Sequence, residues 1–233
     1  MKFPNPLIKG TLIKRYKRFL TDVELESGDV VTAHCANPGS MLGLTEPGFD
    51  VWLSPATNPE RKLRYTWELV HDGRALVGIN TAHPNGLVAD AIEAGTIAEL
   101  QGYKSQRREV KYGKNSRIDI LLEGDGPPCY VEVKNVHLSR EAGAAEFPDS
   151  VTARGAKHLV EMADMVAEGH RAVMVYLIQR DDCDHLSIAA DIDLNYDEGL
   201  TAAMASGVEA IAYSCKLTPK AINVTRAVPI VWP

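Results

Sequence analysis

Apolar and polar positions alternate in short runs through residues 7–79. "LIKGTLIKRY", "RFLTDVEL", "DVVTAHC", "FDVWLS", "KLRYTWELV" and "ALVGI" each read as a strand with one face toward a core. "SGD", "NPGS", "EPG" and "HDG" separate them and carry turn chemistry. Short strands at this spacing predict a small closed barrel, and a five-stranded OB-type barrel fits the length.

After the break "NTAHPNG" the period changes. Leu87, Ala91 and Ala94, with Val88 and Ile92 beside them, make a helical stripe in "LVADAIEAGTIAEL". Strands follow at "QRREVKYG", "SRIDILLE" and "CYVEVKNV", then a helix at "DSVTARGAKHLVEMADMVAEG" with Asp149 or Ser150 as its N-cap and Gly169 at its end. "RAVMVYLIQ" is almost continuously apolar, as a strand buried on both faces requires. "HLSIAADI", a short helix near "EGLTAAMASG" and "VEAIAYSCKLT" complete an α/β unit. The domain boundary is expected near residue 80, giving a barrel over 1–80 and an α/β domain over 81–233.

The hairpin "SRIDILLEGDGPPCYVEVKNV" carries the candidate chemistry. Side chains alternate faces along a strand, so Ile118, Ile120 and Leu122 share one face and Asp119 takes the other. With "GDGP" as the loop, Leu121 lies across from Tyr130, and the same register sets Asp119 across from Glu132. Facing carboxylates repel unless a cation lies between them. Mg²⁺ or Mn²⁺ suits such oxygen ligands, and Lys134 would neutralise charge on a phosphate beside it. The competing reading is a surface salt bridge from Asp119 to Arg117 or Lys134. On the following helix Arg154 and His158 share a face, Lys157 lies beside them, and Gly155 suggests close approach by another backbone. Glu93 on the preceding helix is a candidate third carboxylate.

Composition adds a constraint on partners. The 233 residues carry a net charge of −6, yet Lys2, Lys9, Lys14, Arg15, Lys17 and Arg18 occupy the first 20 positions with no acid among them. Lys104, Arg107, Arg108, Lys111, Lys114 and Arg117 form a second basic segment, opposed only by Glu109. A phosphate backbone senses a local basic face, not net charge; the alternative is a set of solvated strand faces. Tyr16, Phe19, Trp52, Tyr65 and Trp67 offer stacking surfaces or core, with Tyr16 expected to be the exposed one. In "AHCANPGSM", Asn37 and Ser40 belong first to a turn and second to a phosphate contact through backbone N–H groups. The four cysteines, Cys35, Cys129, Cys183 and Cys215, have no pairing pattern, which argues against structural zinc and a disulfide framework. No apolar run is long enough to span a bilayer, and the N-terminus has no signal-peptide core, so a cytoplasmic location is expected.

"AHCANPGSM", "VGINT", "NSRIDILL", "VEVKNVHL" and "FPDSVTARGAKHL" together resemble the sugar fermentation stimulation protein A (SfsA) family, with a PD-(D/E)xK nuclease-like domain. Ser150 stands where the family usually has Ala. The resemblance implies an N-terminal OB-fold, a C-terminal restriction-endonuclease-like α/β domain, DNA binding and a role in regulating sugar (maltose) use. By motif, Asp119, Glu132 and Lys134 fall on the nuclease triad; Glu93 rests on its helix alone. Three functions follow as expectations: a Mg²⁺- or Mn²⁺-dependent nuclease acting on DNA, a non-catalytic DNA-binding regulator, and an RNA-processing nuclease.

Overall fold

The computed structural model describes residues 1–58, 60–113 and 116–232. Lys114 of the second basic segment lies outside them. Six strands form the first unit: β1 (Ile8–Tyr16), β2 (Leu20–Leu25), β3 (Val30–Cys35), β4 (Asp50–Pro55), β5 (Tyr65–His71) and β6 (Leu76–Gly78). β1, β2 and β3 make an antiparallel meander, β1 also pairs with β4, and β4 with β5. Closure comes from a parallel pairing of β3 with β5, His34 beside Thr66 and Cys35 beside Trp67. This is the OB-fold topology, closed around Leu12, Val23, Cys35, Leu53 and Trp67. At Gly10 a Cβ would sit 2.6 Å from Val23 Cγ1 and 2.7 Å from the Glu24 carbonyl oxygen, so only glycine lets β1 pass β2 this closely. Trp67 is fully buried; Phe19, not Tyr16, is the most exposed of the barrel aromatics, stacked on His34.

The second unit begins with α1 (Pro84–Glu93), where proline at the helix start is tolerated because its missing N–H would have no helical partner. It continues through β7 (Ser105–Tyr112), β8 (Ser116–Glu123), β9 (Cys129–Val136), β10 (Gly143–Phe147), α2 (Ala153–Ala167), β11 (Arg171–Ile178), β12 (Cys183–Ile188), α3 (Leu194–Ala205), β13 (Glu209–Thr218), β14 (Ala221–Val228) and β15 (Ile230–Val231). Six strands form a mixed sheet in the order β14-β13-β11-β9-β8-β7, with β11 parallel to both β9 and β13. β11 is central, as its apolar run requires. Its Val173, Val175 and Leu177 pack with Leu87, Val88 and Ile92 of α1, and its Met174 and Tyr176 pack with Leu159 of α2 and Leu200 of α3. β10, β12 and β15 form a small separate sheet. The fold is an OB barrel followed by a PD-(D/E)xK restriction-endonuclease-like α/β domain.

Two local expectations change. Thr152, not Asp149 or Ser150, caps α2 by accepting the Gly155 N–H at 3.1 Å. Gly155 therefore sits in the first turn, and its close neighbours are the Thr152 and Tyr196 side chains rather than another backbone. Met1–Phe3 lie against the second unit, with Met1 N donating to the Ile222 carbonyl at 2.9 Å.

Polar contacts lock the two units. Arg180, 1% exposed, donates to Asp72 at 2.9 Å, to the His137 carbonyl at 3.0 Å and to both oxygens of Asp182. Asp149 accepts the Met41 N–H at 3.0 Å and contacts His137 Nε2 at 3.2 Å. Burial alone would raise the Asp149 carboxyl. His137 and the Met41 and Ser150 donors outweigh it and hold the group well below the usual carboxylate range.

Candidate active site

β8 and β9 pair with Leu121 opposite Tyr130 and Ile120 opposite Val131, the register read from the loop. The ladder then stops. Ile118 packs with Tyr112, Leu121 and Met165, while Ile120 and Leu122 join the core beneath α1, so the expected alternation breaks at Asp119. The splayed strand leaves the Val133 N–H without a ladder partner. Asp119 Oδ2 accepts it at 2.7 Å, and Asp119 Oδ1 accepts the Asn85 side-chain amide at 2.7 Å. Neither Arg117 nor Lys134 pairs with Asp119, so the surface salt bridge does not form; Arg117 donates to the Glu109 carbonyl and Lys134 pairs with Glu132.

Glu132 is 3% exposed. Its Oε1 takes the Lys134 ammonium at 2.9 Å and His158 Nδ1. Arg154 Nε donates to His158 Nε2 at 3.4 Å, which makes Nε2 the acceptor and leaves the Nδ1–H to donate to Glu132. Glu132 Oε2 is buried and has no hydrogen-bond partner among the described residues. Burial pushes the Glu132 carboxyl up, but the His158 hydrogen bond and the Lys134 charge outweigh it and hold the group below its usual value. Asp119 goes the other way: burial first, and the neighbouring Glu132 charge second, push it up to about 6. One carboxylate stays charged at the expense of the other, the pattern of two like charges at one site.

The other expected residues divide sharply. Glu93 is exposed on the last turn of α1, while Asn85 on the first turn of that helix reaches Asp119. Helix polarity, which periodicity does not report, carries Glu93 away. Arg15 spends its guanidinium on the carbonyls of Arg18, Ser40, Asn37 and Gly39, so it holds the turn rather than offering itself to a phosphate. Asn37 is buried, donating to the Ile79 carbonyl and accepting the Gly39 N–H; Ser40 donates to the Asp149 carbonyl at 2.6 Å. These two side chains and the N–H groups of Gly39 and Met41 are committed to the turn and the domain junction, the first of the two roles expected of this segment. Lys14 pairs with Asp22 at 3.6 Å. Lys17 and Arg18 are exposed at the β1–β2 turn, and Lys157 and Arg154 are exposed on α2. In the second basic segment Lys104 pairs with Asp125 and Arg107 with Glu123.

Sequence reasoning missed Asn85 and Glu109. Glu109 has φ 56, and the β7–β8 pairing skips it between Arg108–Ile120 and Val110–Ile118, directly opposite Asp119. The register is the same on both sides, so one rung of the ladder is missing there, and the Glu109 carboxylate accepts the Asn85 amide at 3.2 Å. No alternation signal marks such a position.

Among the described residues no three His, Cys, Asp or Glu side chains cluster as a metal cage. The donor set nonetheless suits a hydrated hard cation. Mg²⁺ commonly takes one or two carboxylates and keeps waters, and Glu132 Oε2 is an unpaired buried acceptor beside a carboxyl destabilised by its charge.

Comparison with known proteins agrees with this architecture. A family profile described as the SfsA N-terminal OB domain matches residues 13–79, and one described as the sugar fermentation stimulation protein RE domain matches residues 82–221. A sugar fermentation stimulation protein homolog from Paramagnetospirillum magneticum is 62% identical over 224 residues, covering 96% of this chain and 94% of that one. A homolog from Rhodospirillum centenum is 61% identical, covering 97% of each chain. The solved structure of Pyrococcus furiosus SfsA, determined in complex with Ca²⁺, is 25% identical with a TM-score of 0.89, covering 99% of this chain and 98% of that one. The chain belongs to the sugar fermentation stimulation protein (SfsA) family.

Proposed function

We propose that this protein is a divalent-metal-dependent nuclease hydrolysing phosphodiester bonds in DNA. The observation that carries the reading is the buried, unpaired Glu132 Oε2 beside an Asp119 carboxyl pushed up to about 6. A regulator that only binds DNA has no use for that arrangement, which costs stability in the absence of a cation. Asp119 and Glu132 would hold Mg²⁺ or Mn²⁺; that the Pyrococcus furiosus relative was solved in complex with Ca²⁺ is consistent with a hard divalent ion as the class of cofactor.

Bound there, such an ion supplies a water of lowered pKa and neutralises charge on a phosphate oxygen. The chain's own residues do the positioning. The Val133 N–H and the Asn85 amide fix both oxygens of Asp119, so this carboxylate keeps one orientation. His158, set in its tautomer by Arg154, fixes Oε1 of Glu132 and leaves Oε2 free. Lys134, whose side chain is only 12% exposed, holds a fixed positive charge beside the Glu132 carboxylate, where it stabilises charge growing on a phosphate in the transition state. The OB barrel supplies a platform for the strand, with Lys17 and Arg18 at its exposed tip.

Cleavage of labelled single-stranded, duplex and flap DNA, with RNA in parallel, tests the reading. Cleavage should require Mg²⁺ or Mn²⁺ and be lost in Asp119→Ala. Metal-independent cleavage, or equal rates in both proteins, would overturn it; preference for RNA would move the substrate to the RNA-processing alternative.

A further inference from the structure

We infer that an unpaired segment of the DNA runs from the barrel tip to the Asp119–Glu132 site, its bases stacking on Phe19 and His34 and passing over Leu42 and Val151. This path presupposes the nucleic-acid reading above and specifies its substrate: a strand unpaired where it meets the barrel.

The tip is built against local preference. Lys17 and Arg18 take φ 50 and φ 64, a region that glycine or asparagine enters at lower cost. Both are exposed. The turn presents Phe19, 47% exposed, with its ring near-parallel to that of His34, 21° between the planes and 6.5 Å between centroids. His34 alternates on β3 with the buried Ala33 and Cys35, so its ring lies on the outer face of the barrel. Two cations beside two rings match a nucleotide strand, phosphates to the cations and bases to the rings.

From the tip the path leads to the site through linked residues. Arg15 joins the tip to the next turn, donating to the Arg18 and Ser40 carbonyls, each at 3.1 Å. Ser40 and Met41 in turn bond Asp149 across the domain junction. An apolar side chain is left in water on each side of that contact. Leu42 follows on the barrel side, 52% exposed, and Val151 lies two residues beyond Asp149, 72% exposed. Val151 precedes the Thr152 cap of α2, whose first turn carries the exposed Arg154. Arg154 engages Nε on His158, and its terminal nitrogens have no partner among the described residues. His158 holds Glu132. A single exposed leucine or valine means nothing. Here the apolar groups stand in line between the cations of the tip and Arg154, and the line ends at the two carboxylates. An unpaired strand, apolar on its base faces and anionic along its backbone, fits that alternation. A duplex hides its base faces and cannot use Phe19.

The test is fluorescence anisotropy of the full chain in EDTA, so that it does not depend on cleavage. Three labelled DNA probes of equal length are compared: a single strand, the same strand with abasic sites in place of its bases, and a blunt duplex. The intact strand should bind about tenfold more tightly than the abasic strand, the effect of one or two stacked bases. Phe19→Ala should remove that advantage without changing affinity for the abasic strand or the duplex, and Phe19→Trp should keep it. Leu42→Ser and Val151→Ser should each weaken the intact strand about threefold. Lys17→Ala should weaken intact and abasic strands alike. All four positions are exposed, so thermal melts of these variants should match wild type. Equal affinities for intact and abasic strands, or an equal loss for strand and duplex in Phe19→Ala, would overturn the path. So would a dimer in light scattering that Phe19→Ala dissociates, which would assign this face to a second copy of the chain. Base-dependent binding by a protein that never cleaves would support the path and defeat the nuclease reading; metal-dependent cleavage without base-dependent binding would do the reverse.

Discussion

Asp119 Oδ2 accepts the backbone N–H of Val133 at 2.7 Å, at the point where the β8–β9 ladder has opened. The carboxylate replaces a strand partner and is thereby fixed against Glu132. The proposed metal site and the gap in the sheet are the same feature.

The first prediction concerns that arrangement without metal. The folded-state pKa of Asp119 is raised to about 6. Its contribution to stability is therefore fully present below the ordinary carboxyl value near 4 and is lost as pH rises through about 6. Asp119→Asn removes the loss. In urea melts in EDTA, the variant should match wild type near pH 4 and exceed it by about 1–3 kcal/mol at pH 7.5. A difference independent of pH would show that Asp119 carries no unfavourable charge.

Divalent cations should reverse the penalty. With Mn²⁺ or Mg²⁺ at roughly 100 times its dissociation constant, wild type should gain about 2.7 kcal/mol of stability. Asp119→Ala should gain little, and calorimetric titration should show binding weakened at least about tenfold. Equal heats from both proteins would remove Asp119 from the ligand set.

The sequence shows the strands of the hairpin because alternation and the "GDGP" loop together determine its register. Leu121 does face Tyr130, and the residues around Asp119 and Glu132 could be found. What alternation cannot show is where a ladder fails. Ile118 leaves the face of Ile120, and Glu109 enters the left-handed region, with no change in residue pattern to announce either. Asn85 lies within "HPNG", which reads as a break, and only the packing of α1 on the sheet turns its first turn toward Asp119. Arg15 and Asn37 misled for a similar reason: their partners are carbonyls brought together by the barrel turn and the domain junction. Polar side chains read as surface groups when their partners are distant in sequence.

His158 should act through Glu132. His158→Ala removes the donor to a buried carboxylate and should cost about 1–3 kcal/mol in metal-free melts. His158→Asn, which can still present an N–H, should recover part of both stability and metal affinity. If Asn recovers neither, the imidazole matters for packing and not for holding Glu132.

The domain junction should show acid sensitivity through Asp149. Its folded-state pKa is depressed, so its contribution is present above the ordinary value near 4 and is lost as pH falls through the lower folded value. Asp149→Ala should destabilise by about 2–4 kcal/mol at pH 7, since the His137, Met41 and Ser40 contacts go together. Calorimetry should show the single transition of wild type broaden or split as the barrel uncouples. A variant that melts in one sharp transition at an unchanged temperature would mean that other contacts, Arg180–Asp72 among them, suffice to join the domains.

The barrel's basic tip separates positions that the sequence groups together. Lys17 and Arg18 lie at the β1–β2 turn with φ 50 and φ 64, both exposed, whereas Arg15 is folded back onto carbonyls. If the tip contacts phosphates, Lys17→Ala and Arg18→Ala should each reduce the salt slope of log affinity by roughly 0.7–0.9. Both are surface changes and should leave stability within about 0.5 kcal/mol. Arg15→Ala should instead destabilise by about 1–3 kcal/mol, because the carbonyls of Asn37 and Gly39 lose their donor. It should alter the slope only as far as the turn shifts. Binding measured across a salt series, beside melts of the same variants, distinguishes the two roles. Unchanged slopes for Lys17→Ala and Arg18→Ala would remove the barrel tip from the nucleic-acid surface and leave the α2 face, with Arg154 and Lys157, as the place to look.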